Sequence, residues 1–311
     1  MSRRTAAALF LFMGIAFGSA FPAIKAGLAD APPLLFAALR FYLSAALLLA
    51  YAVLVVGEWR PRERADWLAV VAGGVFSIGG AGFLYLGQQY TTSGVAAIIY
   101  SLGPVLTVVF ALALLPTERA SRRAVVGVVI GLVGVALVVR PSPDALFAPD
   151  LRGKALVLVA ITSVAAGSVL IRRTGTHMPA VTLTAWALGI GASLLHLGSL
   201  ALGEPQTVPT DPAFLAVLVY LGVVPSGIGF ALYFSLLERA GPLHANLVVY
   251  VVPVVAVLIG WAWLGETLSP LSVIGFAVVF AGFVVLESET FAATFAEGRR
   301  WLATQNAGGN R

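Results

Sequence analysis

The sequence predicts an all-α integral membrane protein, with ten transmembrane helices arranged as two inverted five-helix repeats. Three observations predict it: a large apolar excess, ten hydrophobic stretches separated by short breaks, and an internal match between the two halves. Of the 311 residues, 59% are hydrophobic and 11% charged, and mean hydropathy is +0.96. Soluble domains carry roughly 45–50% apolar and 25% charged residues, so the surplus here must face something other than water. A crossing of the hydrocarbon core takes about 20 apolar residues, and such stretches fill this chain from end to end.

The stretches are bounded by charge or by Gly, Pro and polar breaks. Span one, 5–24, follows Ser2-Arg3-Arg4 and ends at Lys25. It exceeds the core of a secretory signal, so it reads as a retained helix. Span two, 34–56, runs from Pro32-Pro33 to Gly57-Glu58, and span three, 67–87, from the charged segment at Arg60–Arg64 to Gln88-Gln89. Span four, 93–115, ends at Pro116, and span five, 124–139, lies between Arg123 and Arg140. Spans six, 153–171, and seven, 180–202, are separated by Arg172-Arg173 and Pro179. Span eight, 214–237, ends at Glu238-Arg239, span nine, 245–264, at Gly265-Glu266, and span ten, 271–286, at Glu287. In the tail, Phe291, Phe295 and Leu302 share a helical face beside Arg299 and Arg300, which reads either as an interfacial helix or as a frayed terminus.

With the N-terminus in the cytoplasm, fourteen of the 19 Lys and Arg fall in cytoplasmic segments and four (Lys25, Arg140, Arg152, Lys154) outside, Arg40 being within a span. This positive-inside bias requires an even number of spans and puts both termini in the cytoplasm. The net charge of +5 lies in these short clusters, which argues against nucleic acid. Cysteine is absent, so there is no disulfide framework, thiolate nucleophile or cysteine metal site. No motif implies a metal or other cofactor.

The two halves match in order. Gly82-Phe83 matches Gly229-Phe230, Tyr100 matches Tyr250 and Pro104 matches Pro253. Glu118, Gly127 and Gly134 then match Glu266, Gly275 and Gly282 at one offset of 148. Upstream, Gly18-Ser19 and Ile24-Lys25 echo Gly167-Ser168 and Ile171-Arg172. An odd number of spans per unit turns the second copy upside down, an arrangement that in transporters places a site between the repeats. The organisation expected is a first repeat at 1–140, a linker at 141–152, a second repeat at 153–287 and a cytoplasmic tail at 288–311.

At these residues the chain resembles the drug/metabolite transporter superfamily, in its bacterial and archaeal form with two EamA domains. The resemblance covers about residues 5–287 and rests on "GSAFPAIK" closing span one and "PPLLFAALRF" opening span two. It rests equally on the repeated order of proline, then Glu118 or Glu266, then a glycine-spaced helix. One position departs: Phe17 stands before Gly18, where relatives often carry Trp. The resemblance implies a ten-helix fold in the cell membrane, a central cavity between the halves, and export or exchange of a small organic molecule.

Polar residues in lipid are costly unless they face protein or a wet cavity. Here hydroxyls gather in spans one, three, four, six, eight and nine, while spans five and ten hold Ser272 and glycines. Six of the eight tyrosines lie in or beside spans three, four, eight and nine. The cavity candidates are Ser19, Tyr85, Tyr100, Ser163, Tyr233, Asn246, Tyr250 and Arg40. Each also has a plainer reading, a hydrogen bond between helices worth under about 1 kcal/mol. Pro104 and Pro253 are candidate kinks or hinges, because proline frees a carbonyl upstream. Gly127 and Gly131 form a GxxxG suited to helix packing or to a homodimer, so both a monomer and a dimer are open.

Arg40 is the one charge clearly within a span, about 9 Å deep at 1.5 Å per residue; it reads either as a snorkelling anchor or as a contact for a substrate anion. Lys25 reads as a solvated residue at the outer mouth, and His196 as a hydrogen-bonded packing residue. No Asp or Glu sits inside a span, so the usual carboxylate for proton or sodium coupling is missing. Glu118 and Glu266 read as capping or pairing groups at helix ends. A neutral or zwitterionic substrate, amino acid-like or an amphipathic amine, fits this set. An intramembrane enzyme lacks its nucleophile–base pair or metal cluster. A receptor or structural membrane protein is the other alternative, and it has no need of two mirrored access routes.

Overall fold

The computed structural model describes residues 3–116, 121–140, 148–286 and 288, with backbone alone at 3–8, 231 and 233–247. Glu118, the segment 141–147 and the tail beyond 288 lie outside the described residues. Within them the chain is helical, without a strand. Eight helices are long and apolar enough to cross a bilayer, and two shorter apolar ones, Val248–Leu264 and Pro270–Leu286, complete ten spans.

Span one is Arg3–Gly27, span five Arg122–Val139, span six Pro149–Thr174, span seven Ala180–Ala201 and span ten Pro270–Leu286. Span two is an α-helix, Pro33–Tyr51, widened at its end into a π turn, Ala52–Val56. Span three joins Arg64–Ala72, a π-helical stretch Gly73–Gly79, and Gly82–Gln88. Span four is broken into Ser93–Tyr100 and Gly103–Leu114. Span eight begins with Pro212–Leu221, widens at Gly222–Gly229 and runs on into helical backbone from Phe230 to Leu264.

That last run departs from the expected loop between spans eight and nine, at 238–244, since helical backbone is continuous there. It nevertheless doubles back. A Cβ on Gly229 would lie 3.0 Å from the Phe17 ring, while one on the adjacent Gly18 would lie 2.9 Å from the Val252 carbonyl oxygen. In a straight helix Gly229 and Val252 would be about 35 Å apart. Two crossings therefore occupy this run.

The halves are related by inversion, and glycines show it directly. A Cβ on Gly127 would lie 2.7 Å from the Gly282 carbonyl oxygen, and one on Gly134 2.8 Å from that of Gly275. Ascending numbers on span five meet descending numbers on span ten, so the two helices are antiparallel. Under the 148-residue offset, Gly127 corresponds to Gly275 and Gly134 to Gly282, so each contact is the two-fold image of the other. The GxxxG glycines are thus consumed inside the chain. Other packings come in matched pairs: span two on span seven, span one on nine with four on six, and three on six with one on eight. Spans three and eight, which correspond in the repeat, both carry their π turn at the corresponding place, in the glycine-rich segments 73–79 and 222–229.

The outer faces suit lipid. Leu54, Leu197 and Leu258 are largely exposed, and exposed Trp67 lies towards one end of the bundle while Trp261 and Trp263 lie towards the other. Indole rings at both levels match the interfacial belts of membrane proteins.

Candidate functional site

Spans one, two, four and eight each bring a polar side chain to a similar depth. Ser19, Arg40, Tyr100 and Tyr220 lie seven or eight residues from the ends of their spans opposite the termini. At 1.5 Å per residue that is about 10–12 Å into the bundle. Span three adds Tyr85 from nearer that end, and the π turn of span eight adds Ser226 from deeper in.

Arg40 is not a snorkelling residue. It is buried, and its guanidinium turns inward: Nε and Nη2 donate to Ser226 Oγ at 3.0 and 2.9 Å, and Nη1 donates to Tyr85 Oη at 2.9 Å. Its cationic carbon also sits 5.1 Å from the centre of the Phe41 ring. Tyr85 is fully buried, held edge-on between Phe36 and Phe41 with ring centres 5.5 and 6.4 Å away. Ser19 and Tyr220 share a hydrogen bond at 2.5 Å, joining span one to span eight across the halves. Tyr100 is half-buried, stands edge-on to Phe21 at 5.5 Å, and has no hydrogen-bond partner among the described residues.

Tyr250 and Ser163 make other contacts. Tyr250 is buried against span ten, its ring centre 4.3 Å from Phe283 and 5.3 Å from Phe280. Tyr100 precedes its proline by four residues and Tyr250 by three, and one residue is about 100° of helix rotation, so the repeated tyrosines face different ways. Ser163 donates to the Phe76 carbonyl at 2.7 Å, inside the π turn of span three. Ser44 does the same for the Gly222 carbonyl in span eight, at 3.0 Å. A π turn widens the helix and leaves carbonyls that must be satisfied where there is no water, and these two hydroxyls satisfy them. The side chains of Tyr233 and Asn246 lie outside the described residues. Pro104 coincides with the break in span four at Ser101-Leu102, whereas Pro253 sits in uninterrupted helix. His196 bonds Gln206 at 3.1 Å beside the Tyr42 ring, away from this cluster.

Tyr220 and Ser226 count among the hydroxyls of the sequence but nothing singles them out there. Their signal was present as a serine among the glycines of 222–229 and a tyrosine six residues earlier. What the sequence lacks is the partner from span two that makes them a site.

The ends opposite the termini are stitched shut. Lys25 is only half exposed and donates to the Gln88 carbonyl at 2.6 Å, and Gln88 Nε2 donates to the Phe21 carbonyl at 3.3 Å. Glu266 caps span four, accepting from Ser93 N at 3.0 Å and from Ser93 Oγ at 2.6 Å. A Cβ on Gly87 would meet the Gly153 carbonyl oxygen at 2.7 Å, so spans three and six touch backbone to backbone. Every residue from Ser93 to Ile99 is buried, but within Gly103–Leu114 only Val105 and Ala111 are. Span four is thus packed tightly at this end and less so toward the termini.

Inverted helical halves, with a polar cluster at mid-depth where spans of both meet, define a polytopic membrane transporter. The chain belongs to the EamA-like transporter family, which it matches twice, over residues 4–140 and 151–287. It is 33% identical to the uncharacterized inner membrane transporter YedA of Escherichia coli K12, covering 85% of this chain and 86% of YedA. It is 28% identical to a probable terminal-alkyne amino-acid exporter of Streptantibioticus cattleyicolor, over 89% of this chain and 91% of that one. Among solved structures it resembles a crystal structure 25% identical, with a TM-score of 0.63 over 91% of this chain and 96% of the other.

Proposed function

We propose that this transporter exports a small neutral or zwitterionic metabolite by alternating access. The halves 1–140 and 153–287 would rock about the Ser19–Tyr220 and Arg40–Tyr85–Ser226 cluster. The observation that carries this reading is the cluster itself: it joins spans one, two and three of the first half to span eight of the second. A rocking motion of one half against the other must remake those bonds. The charge bias favours cytoplasmic termini, so the closed end is the outer one and the looser end faces the cytoplasm, where an exported molecule would enter. The inner-membrane description of YedA supports the same membrane for this chain. The exporter from Streptantibioticus cattleyicolor supports an amino acid-like cargo.

The test is counterflow of labelled amino acids, sugars, nucleosides and amphipathic amines in proteoliposomes. Uptake against internal unlabelled compound is expected for at least one class. Absence of flux for every class would overturn the transporter mechanism in favour of a receptor or structural role.

Tyr100→Phe gives a sharper check on the cavity. The residue is partly exposed and its hydroxyl has no partner among the described residues, so removing it is expected to lower the transport rate roughly tenfold, the worth of one hydrogen bond to substrate, with the melting temperature unchanged. Tyr250→Ala is expected to do the reverse, losing about 3 kcal/mol of stability through the space opened against Phe280 and Phe283. Equal transport by Tyr100→Phe and wild type would remove Tyr100 from the site.

A further inference from the structure

We infer that Arg40 is the receptor for a carboxylate, so that the transported molecule carries one anionic group and a bare amine is rejected. The inference rests on the transporter reading above and narrows it from neutral, zwitterionic or amine cargo to carboxylate-bearing cargo.

The cluster's hydrogen bonding is unbalanced. A guanidinium offers five N–H groups. Three are used, two on Ser226 Oγ and one on Tyr85 Oη. One N–H on each terminal nitrogen therefore has no acceptor among the described residues. The hydroxyl protons of Tyr85 and Ser226 also donate to nothing there, although both residues are fully buried. Four buried donors thus have no acceptor among the described residues. Buried polar groups left in this state are costly, and a carboxylate, which only accepts, is the group that would satisfy them.

Charge points the same way. No Asp or Glu lies within ion-pairing distance of Arg40 among the described residues, where Lys154 and Asp150 make the ion pair, at 2.7 Å. Removing one partner of a buried pair is far more costly than removing both, and Arg40 stands as half a pair. One cation neutralises one carboxylate; a dianionic phosphate would leave a net charge in the same low-dielectric space. A bare ammonium would meet like charge. The second repeat offers no equivalent cation, since the positions 147 to 149 residues after Arg40 are Ala187, Leu188 and Gly189. The site is therefore polar in one direction, and a zwitterion would enter it in one orientation. The Tyr100 and Phe21 rings, edge-on to each other at 5.5 Å, offer π faces to its ammonium end.

The alternative role for Arg40 is a strut that only ties span two to spans three and eight. The two roles separate by the charge of the ligand. Purified wild-type protein is screened by thermal shift, and by counterflow in proteoliposomes, against L-amino acids and the matching amino-acid amides, which keep the ammonium and side chain but lack the carboxylate. At least one amino acid is expected to bind and be carried at least about tenfold better than its amide, the worth of a charge-assisted hydrogen bond. Arg40→Gln is expected to erase that acid-over-amide preference, Arg40→Lys to keep part of it, and Ser226→Ala, a milder change, to reduce it. An amide or amine carried as well as the acid overturns the carboxylate assignment while leaving the transporter reading standing. So does an unchanged acid-to-amide ratio in folded Arg40→Gln or Ser226→Ala protein. Flux of neither acid, amide, sugar nor nucleoside overturns both.

Discussion

Oxidising a Ser93→Cys/Gly260→Cys double variant in proteoliposomes should stop transport, and reduction should restore it. A Cβ on Gly260 would lie 2.7 Å from Ser93 Oγ, within reach of a disulfide once both positions are cysteine. The bond would tie the start of span four to the end of span nine at the point where Glu266 already holds Ser93. The Glu266 carboxylate, which also approaches the added Cβ, is the flexible neighbour that gives way. Because the chain has no cysteine of its own, no other disulfide can form within it. A molecule locked shut at this end can load from the other but not release, so alternating access predicts complete and reversible loss. Cross-linked protein that transports at the reduced rate would mean that this end does not open during the cycle.

Gly134→Val should leave little folded protein. A side chain there would meet the backbone nitrogen of Val279 at 2.6 Å and the Gly275 carbonyl oxygen at 2.8 Å. Backbone in a packed helix cannot turn aside as a side-chain tip can, so spans five and ten must separate. The expected cost is about 3 kcal/mol, at the upper end for overpacking, read as a lower melting temperature and loss of monodisperse protein. Gly127→Val should behave alike, because its contact with Gly282 is the same contact seen from the other repeat. Gly189→Ala is the control. Nothing lies within 4 Å of its would-be Cβ, and alanine in an open helical position should be neutral or stabilising by up to about 1 kcal/mol. Wild-type stability in Gly134→Val would mean the seam between the two halves is looser than the glycines indicate.

Much of the architecture is legible in the residues. Lipid demands an apolar run of fixed length with its backbone bonds satisfied internally, so each span announces itself by composition. The seam between spans five and ten is equally legible, since Gly127, Gly134, Gly275 and Gly282 recur at one offset and small residues permit close approach. The site is less so. Tyr100 and Tyr250 look like equivalent cavity residues, yet a difference of one residue from the proline turns Tyr250 onto Phe283. Ser163 is a cavity candidate in the sequence, and the structure adds that it serves a carbonyl freed by a π turn, a distortion that glycine permits but does not dictate. Nor does composition say that helical backbone continues through 238–244.

What the sequence by itself determined is the medium, the number of crossings and the inversion of the halves. All three follow from segment length, apolarity and an odd count of spans per repeat, which are properties of the chain alone. The tertiary structure alone decided the fate of Arg40. A long cationic side chain near a span's end can reach water or turn inward with equal ease, and the choice depends on what the neighbouring helices offer. Here Tyr85 from span three and Ser226 from the widened turn of span eight offer two buried hydroxyl oxygens, which hold the guanidinium inside with no carboxylate paired to it among the described residues.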